Sequence, residues 1–288
     1  MLTRTSPRER SLASLASHGF HRVVWHEWGE TDNPRVVVCV HGLTRTGRDF
    51  DVLGEALAAT HRVLAVDMPG RGRSEWLPVK TDYVYSTYLT VLVALVAASG
   101  ARTVDWVGTS MGGLLGIVMA AQRGTPVARL VVNDVGPTIE PAALQRIATY
   151  VGSDPTFDTE PELVAYMRNI SPFGPLDDAQ WWHLARTVSA RRDDGRHGFV
   201  YDPGIAEPFR ETPAVTDLWP LWDAIACPTL VLRGARSDLL SSPTALEMTQ
   251  RGPRARLVEF EGVGHAPSLL VDDQVQTVVT FLRETAAG

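Results

Sequence analysis

Residues 103–120 read Thr103-Val104-Asp105-Trp106-Val107-Gly108-Thr109-Ser110-Met111-Gly112-Gly113-Leu114-Leu115-Gly116-Ile117-Val118-Met119-Ala120. The opening residues alternate β-branched and other side chains, as a strand does, and the closing eight are helix-forming and almost wholly apolar. Between them Gly108-Thr109-Ser110-Met111-Gly112 fits G-x-S-x-G, a sharp strand-to-helix turn in which the central serine is held in a strained conformation. Glycines two residues to either side are required because neighbouring backbone passes where a Cβ would stand. Such a turn lifts the Ser110 hydroxyl clear of the sheet. It also sets it at a helix N-terminus, whose free N–H groups favour negative charge developing on a bound molecule.

Outward from this turn the chain alternates strands and helices. Phe20 to Trp28 reads as a strand, and Arg35 to Val40 is an apolar run of the kind buried on both faces of a parallel sheet. A helix from about Gly47 to Ala59 leads to the strand Arg62 to Val66, and a helix around Tyr83 to Ser99 leads into the serine turn. Arg129 to Asp134 is again a buried-type strand, and this rhythm predicts a parallel α/β sheet with right-handed crossovers. From about Gly136 to Thr216 no strand run is seen, only helical stretches at Leu144 to Val151, Pro161 to Asn169 and Asp178 to Ala190. Sheet rhythm resumes at Pro228 to Gly234, followed by a helix near Thr244 to Gln250, the strand Ala255 to Phe260 and a last helix from about Leu270 to Glu284. The division expected is a core of residues 1–135 and 217–288 with a helical insertion at 136–216.

Composition limits the function classes. The 288 residues carry a modest net charge of -6, and Lys and Arg form no dense run, so neither nucleic acid nor an acidic membrane surface is an expected partner. The two cysteines, Cys39 in an apolar run and Cys227 before a proline, suggest no disulfide framework and are too few for a cysteine-based zinc site. No window is long and apolar enough to span a bilayer, and the polar, serine-rich stretch from Met1 to Ser17 lacks a signal-peptide core. A cytoplasmic protein is therefore expected.

A serine hydroxyl near neutral pH is a poor nucleophile without a general base, and that base needs a third group to hold its tautomer. His265, in Glu261-Gly262-Val263-Gly264-His265-Ala266-Pro267, follows the last strand on a glycine-rich loop that can bring its ring to the C-terminal edge of the sheet. His41, beside Gly42, is the rival, better suited to shaping its own loop. For the acid the sequence offers Asp238, in Gly234-Ala235-Arg236-Ser237-Asp238, and Asp134, both at C-terminal strand ends. Asp238 is preferred because its strand immediately precedes the one carrying His265. Asp134 has a competing use, bonding backbone amides in the Asn133 to Pro137 turn. Attack on an ester carbonyl produces an oxyanion, for which the N–H groups of Met111 and Leu43 are the expected donors.

With these residues in place the chain resembles the α/β-hydrolase superfamily, through five marks that occur in order: His41-Gly42, Asp67 to Ser74, Gly108 to Gly113, Gly234 to Asp238 and Gly264-His265. The resemblance implies an eight-stranded, mostly parallel sheet flanked by helices, a Ser110-Asp238-His265 triad, oxyanion donors from Leu43 and Met111, and a helical lid from the inserted segment. It implies no cofactor and no metal. The expected activity is hydrolysis of a small-molecule carboxylic ester through an acyl-enzyme. A hydrolase of carbon–carbon bonds in aromatic-degradation intermediates and a ligand-sensing receptor on the same scaffold are the alternatives. In the insertion Trp181, Trp182 and His183, with Phe173, Tyr166, Met167 and Phe199, are candidates to line an apolar pocket, and Arg45 beside the Leu43 loop could meet a negative substrate group. At helical spacing Trp181 and Trp182 point in different directions, so at least one is expected to serve packing. The Asp67 to Ser74 loop lacks a Walker-type Gly-Lys-Ser/Thr and reads as a structural turn.

Overall fold

The structure, a computed structural model, describes residues 6–208 and 217–284. The expected boundary at 216 and the chain ends at 1–5 and 285–288 lie outside those residues. Eight strands form one sheet: β1 (Arg8–Ala16), β2 (Gly19–Trp28), β3 (Val36–Val40), β4 (Arg62–Asp67), β5 (Val104–Thr109), β6 (Val127–Asn133), β10 (Thr229–Gly234) and β11 (Arg256–Phe260). Their order across the sheet is β1-β2-β4-β3-β5-β6-β10-β11. β1 and β2 run antiparallel to each other and β2 to β4, and every other pairing is parallel. The mostly parallel sheet is the one the strand rhythm predicts. β1 is an addition to it: its side chains are largely exposed, so Arg8 to Ala16 carries no apolar stripe to announce a strand.

The helices α1 (Asp51–Leu57), α2 (Tyr85–Ser99), α3 (Met111–Ala120), α7 (Trp219–Ala224), α8 (Ser242–Met248) and α9 (Asp272–Arg283) belong to the sheet region. β3 and β4 are buried at every position, as continuous apolar runs between two helical layers must be. One side of the sheet packs α2 and α3 residues such as Leu92, Leu95, Leu115 and Ile117 around Trp106, and the other packs Leu53, Leu57, Val278 and Leu282 around Val37 and Val107. α3 buries nine of its ten residues, so it is apolar all round rather than amphipathic.

Between β6 and α7 the chain forms α4 (Pro141–Ala148), α5 (Glu160–Ile170) and α6 (Asp178–Val188), which the proline and glycine punctuation brackets to within a few residues. The absence of strands expected here is corrected. β7 (Thr156–Phe157), β8 (Ser189–Arg191) and β9 (His197–Phe199) form a small antiparallel sheet, too short per strand to leave a periodic signal. A capping box starts α6, with the Asp177 carboxylate accepting from the Gln180 N–H and the Gln180 side chain accepting from the Asp177 N–H. The same Gln180 donates to the Leu270 carbonyl at 3.0 Å, and Thr46 Oγ1 donates to the Thr187 carbonyl at 3.1 Å. Both bonds tie this segment to loops at the C-terminal edge of the sheet.

Candidate active site

Six parallel strands end at that edge. Ser110 follows β5 with φ 52° and ψ −115°, a positive φ that costs a non-glycine residue on the order of 1–3 kcal/mol. The turn leaves no alternative. A Cβ on Gly108 would lie 2.1 Å from the Gly112 carbonyl oxygen, and one on Gly112 would lie 2.0 Å from that of Val40. The Ser110 N–H donates to the Asn133 carbonyl at 2.9 Å, and Asn133 Nδ2 donates both to Thr109 Oγ1 and to the Pro267 carbonyl. β6 thereby fastens the serine turn to the loop that carries His265.

His265 Nε2 stands 2.9 Å from Ser110 Oγ, and its Nδ1 stands 2.8 Å from Asp134 Oδ2. Because an ionised carboxylate only accepts, the proton sits on Nδ1, which leaves Nε2 free to accept from the serine hydroxyl. Asp134 is fully buried at the end of β6 with φ 59°. Its Oδ1 accepts from the Gly234 N–H at 2.9 Å, and its Oδ2 accepts from Ser237 Oγ at 2.7 Å as well as from His265. Ser237 Oγ itself accepts from the N–H groups of Leu239 and Leu240, so its hydrogen is committed to Asp134.

The expectation that Asp238 would hold His265 is corrected. The carboxylate of Asp238 is engaged bidentately by Arg146 of α4, with Nη2 to Oδ1 at 2.9 Å, and its side chain is 45% exposed. Burial works against the charge, but the Arg146 hydrogen bonds outweigh it and hold Asp238 below the usual carboxylate range. The loop after β10 turns Ser237 and the Gly234 N–H toward Asp134 and sends Asp238 outward. Asp134 does bond backbone in its turn, as its competing use requires, and bonds the imidazole too. Of the supporting groups, Ser237, Arg146 and Tyr150 were not singled out from sequence. A serine at a strand end and an arginine on an amphipathic helix have no local signature.

On the other side of Ser110, His41 is fully buried. Its Nε2 accepts from the Met68 N–H at 3.0 Å and its Nδ1–H donates to the Gly42 carbonyl at 2.6 Å. Burial drives its pKa down to about 4, so the ring is neutral. In a trans peptide the carbonyl and the following N–H point opposite ways, so holding the Gly42 carbonyl aims the Leu43 N–H away from it. The Leu43 carbonyl is taken by Arg71 Nε at 2.8 Å. Neither the Leu43 N–H nor the Met111 N–H, the latter in the first turn of α3, has a protein acceptor among the described residues.

A cavity opens over these groups, lined by Gly42, Leu43, Ser110 and His265 from the sheet edge and by α4 to α6 from above. Phe173, Tyr166, Met167 and Phe199 line it, as expected of the inserted segment, and so do Arg146, Tyr150 and Tyr201. Arg45 lines it as well, bidentate on Asp49 and with its guanidinium over the Phe173 ring. Trp181, Trp182 and His183 do not, which corrects their expected place. Trp181 is buried against Phe173, with ring centroids 6.0 Å apart, in the core of the segment. Trp182 and His183, about 100° and about 200° further round α6, line a separate cleft, and His183 Nε2 lies 3.5 Å from Asp51 Oδ2. Among the described residues no group of three or more His, Cys, Asp or Glu side chains is arranged to hold a metal ion, and no helix is long and apolar enough to cross a membrane.

A strand-turn-helix serine at the edge of this sheet, bonded to an imidazole from the last loop, defines the class. The alpha/beta hydrolase family matches residues 37–280, and the chain belongs to it and is a hydrolase. It is 43% identical over 286 residues to a 3-hydroxybutyrate-oligomer hydrolase of Cupriavidus necator, covering 96% of this chain and 98% of that one. An esterase of Mycobacterium tuberculosis is 28% identical, over 89% of this chain and 83% of its own length. Among solved structures, an alpha/beta hydrolase from Novosphingobium aromaticivorans superimposes with a TM-score of 0.87 at 36% identity, covering 96% of this chain and 98% of that one.

Proposed function

We propose that this hydrolase cleaves carboxylic esters of 3-hydroxyacid oligomers through an acyl-enzyme formed on Ser110. The observation that carries the reading is the hydrogen-bonded series from Ser110 Oγ to His265 to the buried Asp134. In the proposed reaction Ser110 Oγ attacks the ester carbonyl as His265 Nε2 takes its proton. Asp134 keeps the Nδ1 proton in place and stabilises the imidazolium that forms. The N–H groups of Leu43 and Met111 receive the oxyanion, an interaction of about 2.7–4 kcal/mol per donor in the transition state. His265 then protonates the departing alkoxide, and the same ring activates the water that releases the acyl group. The inserted segment acts as the cap over the cavity, with α4 to α6 supplying its roof.

The substrate class is supported by the similarity to the Cupriavidus enzyme along nearly the whole of both chains. The cavity suits it, since aromatic and aliphatic walls carrying tyrosine hydroxyls and arginines match a short, ester-rich chain with polar ends. Release of free 3-hydroxybutyrate from its linear dimer and trimer tests the reading. The wild type turns both over, and Ser110→Ala lowers kcat on the order of 10⁴-fold or more while circular dichroism stays native. An unimpaired Ser110→Ala enzyme would refute the acyl-enzyme.

A further inference from the structure

The sheet order fixes which side of Ser110 each part of an ester must occupy. β3, with Leu43 and Arg45, lies on one side of β5, whereas β6, β10 and β11, with Asp134, Asp238 and His265, lie on the other. The ester oxygen that departs must take its proton from His265 Nε2, so the alcohol half of the substrate lies on the β10 and β11 side. Arg146 borders the cavity there. Asp238, on the loop after β10, holds it by the Nε and Nη2 edge.

We propose that Arg146 is a specificity-determining residue that binds the free carboxylate of the departing hydroxyacid. In a linear 3-hydroxyacid dimer this carboxylate is only four bonds from the scissile carbonyl carbon, on the alcohol half, so it is delivered to that side with the leaving oxygen. A neutral ester would need no cation in this wall. Asp238 leaves the Nη1 end of the guanidinium unclaimed by a carboxylate and keeps the fork oriented before a ligand arrives. Arg45 is disposed differently. Asp49 holds it by the same Nε and Nη2 edge, but it stands on the side of the Leu43 N–H and its guanidinium lies over Phe173.

This inference rests on the reading of the site as an ester hydrolase for hydroxyacid oligomers, and the test separates the two. The linear 3-hydroxybutyrate dimer is assayed as the free acid and as its methyl ester, and the ratio of the two kcat/KM values is followed. Arg146→Gln lowers that ratio roughly tenfold to a hundredfold, chiefly through KM for the acid, and Arg146→Lys restores part of it. Asp238→Asn breaks the same ion pair without removing the cation, and the ratio falls far less than in Arg146→Gln. If Arg146 merely latches α4 to the loop after β10, Arg146→Gln and Asp238→Asn weaken both esters alike and the ratio stays put, which overturns the inference. A wild type that turns over the dimer but does not prefer the acid to its methyl ester overturns it too, while leaving the hydrolase reading intact. A wild type that cleaves neither form of the dimer removes both.

Discussion

Two aspartates stand at the C-terminal ends of neighbouring strands, and the structure treats them oppositely. Asp134, after β6, is fully buried and accepts hydrogen bonds from Gly234, Ser237 and His265. Asp238, after β10, is nearly half exposed and bound to Arg146. The difference teaches what an orienting carboxylate needs. In water-excluded surroundings with its other lone pairs satisfied, its attraction for an imidazolium is strong and its position fixed. A partly exposed carboxylate already paired to a guanidinium has neither property, and its pair contributes little to stability.

The largest effect that could break this comparison is on turnover. Asp134→Asn keeps the shape of the site but lets the imidazole adopt the wrong tautomer, and kcat for a neutral ester is expected to fall on the order of 10³- to 10⁴-fold. Steady-state kinetics on p-nitrophenyl butyrate measures this.

His41 is the counterpart of Asp134 on the far side of Ser110, buried and held at both ring nitrogens, and its signature is in the stability. Unfolded, it titrates near 6.5, and folded near 4, because burial disfavours the charged ring. Between those values the unfolded chain binds a proton that the native chain does not, so stability falls as pH drops through the window. From pH 7 to pH 5 this one group accounts for a loss of about 2 kcal/mol, readable as a lower urea midpoint, and His41→Asn removes that share while the one from His61, also pushed down to about 4 by burial, stays.

A smaller effect sharpens the account of Asp134. In the proposed mechanism Ser237 is a positioning residue that acts through it, and Ser237→Ala leaves one lone pair of the buried carboxylate unsatisfied. The expected cost in kcat is roughly fivefold to thirtyfold, with the acidic limb of the pH–rate profile displaced, whereas a purely structural role would lower stability and leave that limb in place. Smallest of all is Asp238→Asn on p-nitrophenyl butyrate, expected to cost less than about threefold because its ion pair is open to solvent.

Much of the fold was legible because burial on both faces writes itself into sequence. Val36 to Val40 and Leu130 to Val132 carry no polar side chain, and the glycines around Ser110 admit few other structures. β1 was not legible because its polar and small residues stay largely exposed, nor were β7 to β9, which are two or three residues each. At the site, Ser110 and His265 are marked by local glycines. The choice between Asp134 and Asp238 is not local at all, since it depends on how the β10 loop aims Ser237 and the Gly234 N–H. Trp181 and Trp182 are similar cases, settled by a rotation of about 100° on α6 that depends on what packs beside it.

The most direct test of the relay from Asp134 through His265 to Ser110 is the rate at which a phosphonate ester modifies the protein, followed by intact mass and peptide mapping. The account predicts a single adduct on Ser110, formed in Asp238→Asn at nearly the wild-type rate and in Asp134→Asn at least a hundredfold more slowly. An adduct elsewhere, or Asp238→Asn slowed while Asp134→Asn keeps pace with the wild type, would contradict it.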